Sequence, residues 1–251
     1  MKSINKFITK KRIIVLFFIL LIIELGTAIG LKKVKINTLF ADNYPVQGID
    51  VSHYQGNIDW KVLQKQNIDF AYIKATEGSS HVDEKFKENW GNASQTSLKI
   101  GAYHFFSFDS EGETQAENFI RTVGSLEGKL IPVIDVEYYG DKFRNPPEKE
   151  KVVKELKHMC TCLEQEYGVK PMLYTTNKVY HKYLEGEFDF DEYPLWIRDV
   201  YFTPNITIKD QWTLWQYSDT SVLEGYKGGE KYIDVNVFRG DFENLSELSV
   251  E

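Results

Sequence analysis

The chain has 251 residues, 42% of them hydrophobic and 14% aromatic, which is material for one sizeable core and excludes an intrinsically disordered protein. The first 46 residues carry a net charge of +6, so the overall −7 leaves −13 on the remainder. A body that acidic excludes nucleic acid as a partner, because phosphates need a basic face, and suits an uncharged or cationic substrate.

Behind Lys10-Lys11-Arg12 lies an apolar run of 19 residues, ending before Lys32. Its length just reaches the ~20 residues that cross a bilayer, so residues 1–45 are expected to form a basic cytoplasmic tail, a signal anchor or signal peptide, and a polar tether. The body would then lie outside the cell or on its surface, joined to the membrane through this segment or released from it.

From Val46 onward strand and helix signals alternate. Val46 to Ser52 reads as a strand, Asp59 to Asn67 as a helix opened by an acidic cap, and Phe70 to Ala75 as a strand. A helix over 83–97 and a strand over 99–106 follow, then a helix over 112–124. Leu130-Ile-Pro-Val-Ile-Asp-Val-Glu-Tyr-Tyr139 reads as a buried strand, and a long helix is expected from Glu148 to Tyr167 behind Asn145-Pro-Pro147. Further strands are expected over 171–176, 193–198, 213–217 and 233–237, with one short helix over 177–184. Cys160 and Cys162, two apart in the long helix, point in different directions and are expected as unpaired thiols. Eight strands in about 200 residues imply an α/β fold, an irregular TIM-like barrel with fewer than eight helices, filling 46–245 as one domain and expected to be a monomer.

In such a barrel the chemistry sits where the strands end at their C-terminal side. The polar residues at those exits are Asp50, His53, Lys74, Glu77, Tyr103, His104, Asp135, Glu137, Tyr174, Trp196, Arg198, Trp215, Tyr217 and Asp234. Asp135 and Glu137, two apart on one strand, share a face about 6.6 Å apart along the backbone. An apolar strand does not place two acids on one face for stability, since burying them is costly. Four carboxylates among aromatic rings describe a sugar groove, where rings stack on pyranoses and acids bond hydroxyls. A metal site is the lesser reading, because no His-x-His, His-Glu-x-x-His or Cys pair of ligand spacing is present, and no metal or cofactor is expected. A Gly-x-Ser-x-Gly nucleophile turn is missing as well.

Gly48-Ile-Asp-Val-Ser-His-Tyr-Gln-Gly56, Phe70-Ala-Tyr-Ile-Lys-Ala-Thr-Glu-Gly78, Gly101-Ala-Tyr-His-Phe105, Pro132-Val-Ile-Asp-Val-Glu137, Leu195-Trp-Ile197, Trp215-Gln-Tyr-Ser218 and Ile233-Asp-Val-Asn236 together resemble glycoside hydrolase family 25 lysozymes of the Chalaropsis type. The resemblance implies an N-acetylmuramidase acting on bacterial peptidoglycan, cutting the β-1,4 bond between N-acetylmuramic acid and N-acetylglucosamine. It assigns Glu137 as proton donor, Asp135 as its partner and Asp50 as a further catalytic acid. Asp234, Tyr103, His104, Lys74, Glu77, Tyr174, Trp196, Trp215 and Tyr217 are the expected substrate contacts. His81 departs from the family pattern, which often has an apolar or aromatic residue there. The competing class is a non-catalytic wall-binding module on the same fold.

Overall fold

The computed structural model describes residues 2–30, 37–187, 192–204, 208 and 212–251. Its strands, in chain order, are β1 (Val46–Val51), β2 (Asn57–Ile58), β3 (Phe70–Glu77), β4 (His81–Val82), β5 (Lys99–Phe105), β6 (Val133–Val136), β7 (Met172–Thr176), β8 (Leu195–Arg198), β9 (Leu214–Ser221), β10 (Tyr226–Lys227) and β11 (Ile233–Phe238). Eight of them close a barrel in the order β1, β11, β9, β8, β7, β6, β5, β3, with β3 pairing back onto β1. β4 pairs antiparallel with the end of β3, while β2 and β10 form a separate two-stranded ribbon.

The amphipathic stretches form helices where expected. The principal ones outside the barrel wall are α1 (Lys2–Gly30), α2 (Thr38–Ala41), α3 (Trp60–Leu63), α4 (Phe86–Ala93), α5 (Gly112–Val123) and α6 (Lys149–Tyr167). Asp59 caps α3 by accepting the N–H groups of Lys61 and Val62. Helix α6 ends where Gly168 takes a left-handed conformation. Cys160 and Cys162 are free thiols.

The barrel strands β1, β3, β5, β6, β7, β8 and β9 run parallel, but β11 is antiparallel to both of its neighbours. The fully parallel sheet expected from the alternation therefore gives way to a mixed one. Residues 222–232 between β9 and β11 contain only β10, and a parallel return would need a helical crossover. The strand expected over 130–139 is also shorter, since β6 spans only Val133–Val136. Pro132 has no N–H to give a ladder, and Leu130 instead bridges Ser249 near the chain's end. Glu137 consequently stands just past the last paired residue, at the barrel mouth.

Below that mouth the barrel is filled. A Cβ on Gly48 would lie 2.2 Å from the Phe70 ring, and one on Gly101 would lie 2.2 Å from the Tyr72 ring. These two glycines admit aromatic rings where any side chain would collide. On the outside, the segment leading into β1 packs against β9. Buried Asn37 donates to the carbonyl oxygens of Asp199 and Tyr217, and Tyr44 meets Trp212 and Trp215 edge-on.

Among the described residues no helix is long and apolar enough to cross a membrane, so the spanning anchor expected from the sequence is not found. Residues 13–23 of α1 form an unbroken apolar run that is 47–66% exposed, bounded by Arg12 and Glu24. At 1.5 Å per residue this run covers about 16.5 Å, against a hydrocarbon layer of about 30 Å.

Candidate active site

Strand parity decides which side chains reach the mouth, because alternate residues face opposite sides. The floor of a cleft of about 290 Å³ receives Asp50 from β1, Lys74 from β3, Tyr103 from β5, Asp135 from β6, Tyr174 from β7, Trp196 from β8 and Asp234 from β11, with Glu137 at the lip. Nine of the residues anticipated as site residues thus include a common cleft of eight, and the ninth, Glu77, sits beside it, accepting from Lys74 Nζ at 2.7 Å. Lys74 is buried and its ammonium lies 4.8 Å from the centre of the Phe105 ring.

The same parity takes three anticipated residues away. His104 faces outward between β5 and α5, fully buried, with Nδ1 2.7 Å from Thr76 Oγ1 and Nε2 3.1 Å from Gln115 Oε1. Burial lowers its pKa to about 4, so it stays neutral and joins strand to helix. Trp215 is fully buried on the outer face of β9, donating from Nε1 to the Asp199 carbonyl at 2.8 Å. Tyr217 shares that outer face and its hydroxyl donates to Gln47 Oε1 at 3.2 Å. His81, on exposed β4, also lies outside the cleft.

Gln216 and Asn236, which sequence reasoning did not single out, are buried beneath the floor. Gln216, between the two outward aromatics of β9, donates from Nε2 to Asp50 Oδ2 at 2.9 Å. Asn236 donates from Nδ2 to the same oxygen at 2.8 Å and accepts from Trp196 Nε1 at 2.9 Å. The Tyr174 hydroxyl donates to Gln216 Oε1 at 3.0 Å, which closes a chain from Trp196 through Asn236, Asp50 and Gln216 to Tyr174. Arg198, two beyond Trp196, donates to Asp219 Oδ2 at 2.6 Å. The signal for Gln216 and Asn236 lay in register: Gln216 pairs with both Arg198 and Asn236 across neighbouring strands.

The four carboxylates share a direction of shift. Burial raises the pKa of Asp50, against the pull of Asn236, Gln216 and Arg198. Asp135 is pushed well above the carboxylate range by burial, then by the charge of Glu137, with Lys74 opposing. Glu137 is raised by burial and held back chiefly by Arg198. Asp234 rises to about 8, first through burial and then through Asp50. Asp135 differs from Asp50 in one respect: its Oδ1 is buried and has no hydrogen-bond partner. Buried acceptors are nearly always satisfied, so an orphan on a cleft floor is an acceptor open to a substrate donor. Acids held protonated into the neutral range can deliver a proton, and neighbouring acids that compete for charge separate into donor and carboxylate roles.

The sequence model of glycosyl hydrolases family 25 matches residues 49–226, most of the chain and nearly all of the barrel. The chain belongs to this family. A solved family 25 glycosyl hydrolase from Bacillus anthracis superposes with a TM-score of 0.78 at 50% identity, covering 83% of this chain and 95% of that one. Lysozyme M1 of Streptomyces globisporus is 32% identical over 224 residues, 83% of this chain and 73% of its own length. The uncharacterized protein YegX of Escherichia coli is 36% identical over 208 residues, 81% of this chain and 73% of its own. The family 25 chain is accordingly a glycoside hydrolase with an α/β barrel.

Proposed function

We propose that this family 25 hydrolase is a lysozyme of the muramidase type, cutting the β-1,4 bond between N-acetylmuramic acid and N-acetylglucosamine in bacterial peptidoglycan. Glu137 serves as general acid and base. The observation that carries the reading is the unequal pair at the end of β6: Glu137 raised at the lip, and Asp135 beneath it with an unpartnered oxygen.

Desolvation favours the protonated form of Glu137, the form that gives its proton to the leaving glycosidic oxygen. Burial disfavours a charged Asp135 most; with Glu137 neutral the next cause, its repulsion, is gone, and Lys74 favours ionisation there. The free Asp135 oxygen then accepts the N–H of the 2-acetamido group. That contact orients the acetamide carbonyl toward the anomeric carbon, which it attacks as the glycosidic bond breaks. Glu137, now a carboxylate, takes a proton from the water that opens the cyclic intermediate. Asp50, fixed by two amides, and Asp234 hold the substrate and set the local charge, with Tyr103, Tyr174 and Lys74 lining its path.

Muropeptide analysis of digested walls tests the bond, and the anomer first released, read by NMR, tests the mechanism. Initial release of the inverted anomer would rule out the acetamide route. A binding module would clear no turbid peptidoglycan suspension, whether Glu137 is present or replaced by Gln.

This reading places the barrel outside the cytoplasm, where peptidoglycan lies. The exposed apolar run of α1 is the segment that brings the enzyme to a lipid surface. Flotation with liposomes checks this: the full chain rises with the vesicles, and a chain lacking residues 2–30 stays behind.

A further inference from the structure

One wall of the cleft carries a ring that neither core packing nor the carboxylate chemistry accounts for. Tyr54 is 59% exposed, yet it lines the cleft, and among the described residues it is the only strongly exposed large hydrophobic side chain to do so. Folding gains little from a ring left in water, whereas a ring at the lip of a sugar groove offers a stacking face.

The ring is also held. Tyr54 sits in the one-turn helix His53–Gln55, where Ser52 Oγ accepts its N–H and the Gln55 side chain accepts the Ser52 N–H at 2.9 Å. Its carbonyl accepts the Glu230 N–H at 3.0 Å. The two loops interlock so closely that a Cβ on Gly228 would fall 2.1 Å from the Tyr54 carbonyl oxygen. Behind the ring lies the His53 imidazole, with centroids 4.1 Å apart and planes tilted by 38°. Buried Asp83 fixes that imidazole, meeting Nδ1 at 2.7 Å and accepting the His53 backbone N–H at 3.0 Å. An aromatic face fixed before binding loses little entropy when a ligand arrives.

We propose that Tyr54 is the stacking platform of a glycan subsite beyond the four-carboxylate floor, taking the pyranose face of a hexosamine that is not itself cleaved, with His53 and Asp83 as its buttress. The inference rests on the cleft being a peptidoglycan groove. It makes affinity depend on glycan length: a chain that reaches the platform binds tighter than one that occupies the floor alone.

Calorimetric binding in the Glu137→Gln background, which cannot consume its ligand, separates the two ideas. The probes are the disaccharide and tetrasaccharide repeats of peptidoglycan. Adding Tyr54→Ala should weaken the tetrasaccharide about tenfold and leave the disaccharide within about twofold, with the melting temperature unchanged, while Tyr54→Phe and Tyr54→Trp keep tetrasaccharide affinity within about threefold. Equal tetrasaccharide affinity with and without the Tyr54 ring overturns the platform while leaving the groove intact. Equal weakening of both probes overturns it too, since the ring would then act on the floor. If the Glu137→Gln protein binds neither probe, the groove reading itself fails.

Discussion

Two parts of the cleft floor carry the same chemical group and treat it differently. At the seam of β1 and β11, Asp50 is gripped by the amides of Gln216 and Asn236, which both donate to its Oδ2. At the end of β6, Asp135 has an oxygen with no partner, and Glu137 projects past the last ladder residue. The difference sets Asp50, with one oxygen tied into the protein scaffold, apart from Asp135, whose buried oxygen has no protein partner. On the proposed function, that contrast, more than the count of carboxylates, assigns the cutting of the bond to the end of β6.

The contrast can be broken at several points. Glu137→Gln removes the proton donor and should cost about 10³-fold in kcat on peptidoglycan, within the range general acids supply, with glycan binding retained. Asp135→Asn replaces the free acceptor with an amide whose donor faces the acetamide N–H and should cost about 10²-fold, read in the same turbidity assay. Asn236→Ala attacks the scaffold side. It strips one amide from Asp50 and the partner from Trp196 Nε1, so unfolding in urea should show a loss of about 1–3 kcal/mol, the cost of buried groups left unpaired. Equal activity losses for Asn236→Ala and Asp135→Asn would erase the distinction between the two regions.

The smallest effect is one of pH. Asp234 titrates near 3.8 when unfolded and near 8 in the cleft, so its stabilising contribution is complete below pH 4 and is lost as pH rises through 8. Asp234→Asn abolishes that titration. Relative to the parent, the variant should melt higher by at least about 2–4 °C at pH 9, the shift that 1 kcal/mol produces in a domain this size, with the gap narrowing or reversing toward pH 4. Scanning calorimetry at the two pH values reads it directly.

The barrel was legible because its strands are apolar and its helices amphipathic at regular spacing, and Asp135 and Glu137 stood out because acids two apart on an apolar strand have few structural reasons. Parity was harder to read. In Tyr103-His104 and in Trp215-Gln216-Tyr217 the neighbours are all plausible sugar contacts, yet only alternate ones face inward. Outward positions on β9 look no different from inward ones because they too are buried, under Tyr44 and Asn37 of the segment that precedes the barrel. Long-range cover of that kind leaves no periodic trace. The antiparallel turn of β11 was hidden for a related reason: only the lack of a helix between 221 and 233 reveals it.

The rings that occupy the space above Gly48 and Gly101 have one more consequence. With Phe70 and Tyr72 sealing the barrel from below, a polymer has no passage through the protein and must lie across the open end. On the proposed function, the glycan is therefore bound and released at the mouth without threading, and the loops around that open end, not the bore of the barrel, decide how long a stretch is held.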